Sequence, residues 1–132
     1  MHGGSTHFPI VLTLVSLACG VAARVIRSDL RRSDLHRVGL WALWLAALCS
    51  FGAAFSGLIL SKWSAIGTGR LARHHLFVWP GFSLLVGLAV WRVAAPALGS
   101  RRVETAYLVI LSAVVLCIMI AAFWGGELLL GN

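Results

Sequence analysis

"VGLWALWLAALCSFGAAFSGLIL", residues 38–60, decides the fold. It holds 23 residues without one Asp, Glu, Lys or Arg. A helix needs roughly 20 apolar residues to cross a hydrocarbon core of about 30 Å, so this run is long enough to span one. Three more runs of that kind follow the same rule: 8–26 with Arg24 near its end, 76–95 with Arg92 near its end, and 105–126 without charge. Nothing in them alternates with period two, which excludes a closed barrel. Helices are the remaining way to satisfy backbone polar groups in lipid. Composition agrees: 60% of the 132 residues are hydrophobic and 11% charged. A soluble chain of this size has too little interior for so much apolar surface. The expected fold is all-α, an integral membrane four-helix up-down bundle, one transmembrane domain over 1–132.

The net charge of +7 does not mark a nucleic-acid binder, because the basic residues fall between apolar runs and form no stripe interleaved with aromatic side chains. They set orientation instead. Arg24, Arg27, Arg31, Arg32, Arg37, Arg92, Arg101 and Arg102 lie at one end, against Lys62, Arg70 and Arg73 at the other. The richer end belongs in the cytoplasm. Both termini and the loop 61–73 then face the outer, periplasmic side of a bacterial inner membrane. Arg24 is free to snorkel toward headgroups.

A signal peptide would place positive charge before its apolar run. "MHGGSTHFP", residues 1–9, carries none, and "SLAC", residues 16–19, has Ser where a lipoprotein box wants Leu. Residues 8–26 are therefore expected to stay as a helix. Cys19, Cys49 and Cys117 sit inside three different spans and read as small apolar fillers. No Cys-x-x-Cys-His attaches haem covalently. "CSFGAAFSG", residues 49–57, offers small-x-x-x-small pairs and reads as a packing surface. Pro80 in "WPG" frees carbonyls one turn earlier and bends span three. Trp63, Trp79 and Trp124 read as belt and packing residues.

The chemistry lies in the histidines. His2 and His7 precede span one, and His74 and His75 open span three. Four of the five histidines thus gather at the outer end with Glu127, while His36 stands alone at the other. Isolated interfacial histidines are commonplace; four at one end point to a ligand. Imidazole suits haem iron, copper and zinc. Two histidines on different helices can clamp a macrocycle from both faces, and bundle interiors host such cofactors. Walls of Leu, Phe, Val and Trp favour haem over a bare ion, which would want closer ligands with carboxylate or thiolate company. Arg70 and Arg73 are candidates to meet the propionates, and Glu127 to hold a ligand's other ring nitrogen. His74 and His75 point about 100° apart on a helix, so one ring can face the interior while the other turns to a neighbour or the surface, and sequence does not say which. With both inward, His2, His7, His74 and His75 could hold two haems.

Four motifs resemble a known family. "HGGSTHFPI" (His2 to Ile10) resembles the opening "HP…HFPI" of short bacterial four-helix membrane proteins grouped as domain-of-unknown-function family 2231. "FSGLI" (Phe55 to Ile59) and "ARHH" (Ala72 to His75) are similar to its second helix and its entry to helix three. "WGGELLLG" (Trp124 to Gly131) is similar to its closing "GGELVYxxG". Gly3 replaces the family's usual Pro, and Leu its usual Val-Tyr. The resemblance implies four helices and an outer-face histidine motif. It fits cytochrome-like membrane subunits beside periplasmic redox proteins.

The expected function is a b-type cytochrome subunit with haem b near the outer leaflet, held by His7 and either His74 or His75, with His2 a further candidate ligand. It would relay electrons between a periplasmic redox protein, such as a c-type cytochrome or dehydrogenase, and quinone or another membrane subunit. On this expectation replacing His7 abolishes the haem signal and replacing His36 does not. The rival is a cofactor-free anchor subunit of a larger membrane complex. A transporter is disfavoured, since no acid lies mid-span.

Overall fold

A computed structural model describes residues 2–95 and 99–130, with side chains over 6–95 and 99–128. It contains α1 (His2–Val25), α2 (Asp29–Leu60), α3 (Arg70–Ala94) and α4 (Arg101–Leu130). All four are long and apolar enough to cross a membrane. They alternate in direction. α1 packs along α2 and α3 along α4, and the two pairs close through α1 with α4 and α2 with α3; α1 and α3 stand on the diagonal. Both described chain ends therefore share one end of the bundle with the 61–69 loop, and the arginine-rich links share the other.

The helices run past the apolar spans that predict them. Residues 27–37 read as a link, yet α2 begins at Asp29. Ser28 has extended backbone (φ −74°, ψ 117°), and its carbonyl accepts the Arg32 N–H at 2.9 Å. Asp29 in the first turn complements the helix dipole, and the Leu and Arg that follow are good helix formers. With 32 residues, α2 is about 48 Å long at 1.5 Å per residue. Its first two and a half turns thus stand beyond the hydrocarbon, where Arg32 and His36 meet Glu104. At the other end, Lys62 and Trp63 adopt left-handed φ of 52° and 63°. The Trp63 N–H reaches back to the Leu58 carbonyl at 2.8 Å and closes the helix. The Trp79 indole then pins the loop by donating to the Ala65 carbonyl at 2.7 Å.

The core sits between the helices, with Leu43, Leu85, Leu111 and Val114 fully buried. Outside it, Val11, Val21, Leu48, Leu116 and Phe123 are exposed along the helix shafts, which only a lipid solvent tolerates in such number. Small residues set the closest approaches. A Cβ at Gly39 would lie 3.2 Å from Cys19 Cβ, and one at Gly81 would lie 3.1 Å from Cys117 Cβ. Two of the three cysteines are thus fillers in tight helix crossings. The "CSFGAAFSG" run is used unevenly: Ser50 is buried and Ala53 half-buried, while Gly52 faces outward with nothing within 4 Å of an added Cβ. Between α2 and α3 the bridge is made by side chains, Phe51 edge-on to Phe82 at 5.0 Å and the Trp44 indole donating to the Ala89 carbonyl at 3.3 Å.

A pair of glycine substitutions separates these environments. Gly39→Val forces α1 and α2 apart and is expected to cost about 1–3 kcal/mol, the usual range for overpacking. Gly52→Ala meets open space and gains helix propensity, worth up to about 1 kcal/mol. Reversible unfolding in mixed micelles measures both.

Candidate functional site

The entry to α3 places its two histidines differently. The buried face of this helix carries His75, Gly81, Leu85, Leu88, Ala89 and Arg92, a spacing close to three and a half. His75 is therefore an interior residue, 8% exposed, and its Nδ1 has no hydrogen-bond partner. Its ring lies 5.7 Å from that of His74 and 6.1 Å from that of Trp79. His74, one step round the helix, turns to α4. Its Nδ1 lies 2.7 Å from the Ala121 carbonyl. A carbonyl only accepts, so Nδ1 carries the proton, which assigns the basic lone pair of the neutral ring to Nε2. The "WGGE" motif explains the fit: a Cβ at Gly125 would stand 3.2 Å from His74 Cε1, so glycine makes room for the imidazole against the α4 backbone. Sequence left open which of the two histidines faces inward; it is His75.

The supporting residues divide. The Arg73 guanidinium lies 4.9 Å over the Trp124 ring, a cation–π contact. Arg70 is exposed in the first turn of α3, and Glu127 is half-buried one turn beyond Trp124. On α1 the buried positions are Pro9, Thr13, Ser16, Gly20 and Ala23. His7 is exposed, because two residues before Pro9 is about 200° round the helix. The side chain of His2, a further candidate ligand, lies outside the described residues. Among the described residues no three His, Cys, Asp or Glu side chains gather as a metal-ion site.

The opposite end holds a polar assembly that the sequence reading missed. Glu104, 5% exposed, sits at the head of α4. Its Oε2 lies 3.5 Å from Arg32 and its Oε1 lies 3.7 Å from His36 Nε2. His36, the one histidine at this end, thus has a carboxylate neighbour. It falls inside α2, and the helix turns it toward α4. Arg92, expected at a span end beside Arg24, does not reach out to headgroups: it is 3% exposed. Its guanidinium lies 5.3 Å over Tyr107 and donates to the Ala95 carbonyl at 2.9 Å, while its Nε has no partner. Ser16 donates to the Gly39 carbonyl at 2.8 Å. Its one proton is spent there, so the Tyr107 hydroxyl, 3.3 Å away, is the donor to Ser16 Oγ. Arg92, Tyr107, Ser16 and Gly39 in this way tie α3, α4, α1 and α2 together. Arg24 donates to the Thr105 hydroxyl at 2.8 Å. Two signals were available: a lone acid among arginines at the head of an apolar run, and an arginine in register with Leu85 and Leu88.

A family model described as "Predicted membrane protein (DUF2231)" matches residues 1–130. No curated protein and no solved structure matches the chain.

Proposed function

Since the chain belongs to this family of predicted membrane proteins, we propose that it serves its membrane as an electron-relay subunit, binding haem b at the end of the bundle that holds His74 and His75. The buried His75 imidazole carries the proposal. A ring nitrogen sealed from water without a partner costs about 1–3 kcal/mol, and His75 Nδ1 is such an atom. A ligand that bonds to this nitrogen removes that cost. Haem asks for one or two imidazoles, whereas a bare ion asks for three or more protein ligands. His2, whose side chain lies outside the described residues, is the candidate for a second ligand.

A bound haem would supply one-electron chemistry. The chain's own residues would hold and tune it. His74, anchored to the Ala121 carbonyl, packs beside His75 and fixes the helix entry. Arg73, stacked on Trp124, and Arg70 supply positive charge for propionates. Glu127 lies on the Trp124 side of α4 and offers a carboxylate to the same neighbourhood. By the arginine count this end faces the periplasm of a bacterial inner membrane. The electron partners are then a periplasmic redox protein on one side and quinone or a neighbouring membrane subunit on the other. Haem content and the visible spectrum of wild-type protein against His75→Ala test the proposal.

One observation favours the rival, a cofactor-free anchor. Gly52 and the exposed Phe51 and Phe55 beside it leave part of the small-residue run of α2 open to a further helix. Colourless, iron-free protein that purifies only with a membrane partner would select that reading.

A further inference from the structure

We propose that the arginine-rich end of the bundle is a binding site for a phosphate-bearing anion, separate from the histidine end. A cavity of about 670 Å³ opens there, lined by Arg24, Arg32, Arg92, Arg101, His36 and Glu104 among others. Its size falls in the usual range for small-molecule sites and exceeds what inorganic phosphate fills. Four arginines line it against two carboxylates, Asp29 and Glu104. Among the described residues the one arginine–carboxylate ion pair is Arg32 with Glu104. Arg24, Arg92 and Arg101 thus bring three guanidinium charges to one cavity without a carboxylate paired to any of them.

Arg92 is the decisive group. It is 3% exposed, and its Nε has no partner. A guanidinium held so deeply, with a donor unused, is costly unless an acceptor arrives. Its planar fork matches phosphate oxygens. The start of α4 adds to this. Gly99, Ser100 and Arg101 line the cavity, so the positive end of a 30-residue helix opens on it. Glu104 takes part by holding Arg32 and His36 in place rather than by meeting the anion. The cavity also lies at the right level. The apolar spans stop near residues 26, 38, 95 and 105, and the projecting first turns of α2 wall the cavity beyond them. That is the headgroup layer, on the side where anionic lipids and soluble phosphate esters are both present.

Phosphate is the shared chemistry of two sources, and two probes separate them. The full-length protein is taken into nanodiscs of phosphatidylcholine with or without phosphatidylglycerol, and retained lipid is counted by native mass spectrometry. In parallel, its melting temperature is followed in potassium phosphate against potassium chloride at matched ionic strength. Selective retention of phosphatidylglycerol assigns a lipid headgroup; stabilisation by phosphate over chloride assigns a soluble phosphate. In either case Arg101→Gln, at an exposed position, should weaken binding about tenfold, the scale of one charge-assisted contact. Arg24→Gln should act likewise, and Arg92→Gln more strongly if it folds. Arg31→Gln removes the same charge from an exposed site outside the cavity and should leave binding unchanged. Equal weakening by Arg31→Gln and Arg101→Gln, or no preference in either arm, would overturn the proposal.

Discussion

Protein carrying His75→Ala should purify without a Soret band, its haem content falling from near stoichiometric to near zero. The expected loss is large because the proposed ligand is the buried imidazole of the pair, while its neighbour is anchored to α4. His74, one step round the helix, is held against α4, where its Nδ1 donates to the Ala121 carbonyl at 2.7 Å. The substitution removes an imidazole whose Nδ1 has no partner, so no buried hydrogen bond at that atom is broken and the bundle should remain folded by circular dichroism. Three comparisons sharpen the result. His36→Ala, at the other end beside Glu104, should keep the full spectrum. His2→Ala should leave haem bound through one imidazole, with a shift to a five-coordinate, high-spin spectrum. His7→Ala should keep the wild-type spectrum, since His7 is exposed; this reverses the expectation from sequence. Were His75→Ala to retain a normal paired-histidine spectrum, the ligand would lie elsewhere.

The second large effect belongs to Glu104. Glu104→Ala should destabilise the bundle by about 2 kcal/mol. Breaking a fully buried ion pair costs about 3–5 kcal/mol, and an exposed one less than about 1. This pair lies between, with Glu104 side chain 7% and Arg32 side chain 45% exposed. The loss also leaves Arg92 and Arg32 in a cavity with one fewer negative charge, which adds repulsion. Glu104→Gln retains the shape and loses the charge, so it isolates the electrostatic part and should cost less than the alanine. Unfolding by denaturing detergent reads both. An unchanged midpoint for Glu104→Ala would mean that water already screens the pair.

The spans were legible because an uncharged run of 23 residues admits one solvent and, in that solvent, one backbone geometry. Helix ends were less legible. An apolar window stops where charge begins, but α2 continues outward from 38 to Asp29 on the strength of its cap position and its Leu and Arg residues. Least legible was rotation about each helix axis. In a soluble bundle a polar face marks the outside. Here lipid makes the outside as apolar as the core, so nothing in "RLARHHLFVWPG" separates His75 from His74, and nothing in the first helix turns His7 outward. Only buried small or polar residues betray the inner face: Thr13, Ser16 and Gly20 on α1, Gly81 and Arg92 on α3. Arg92 and Glu104 escaped for the opposite reason. Each charge stands at a span boundary, where exposure is the ordinary expectation, and their burial depends on neighbours far away in sequence.

The most direct measurement is the reduced-minus-oxidised visible spectrum of the isolated wild-type protein, expressed with ample haem precursor, together with its iron content. The histidine end predicts a sharp low-spin spectrum of paired imidazole ligation with about one iron per chain. Colourless protein free of iron would contradict the redox site.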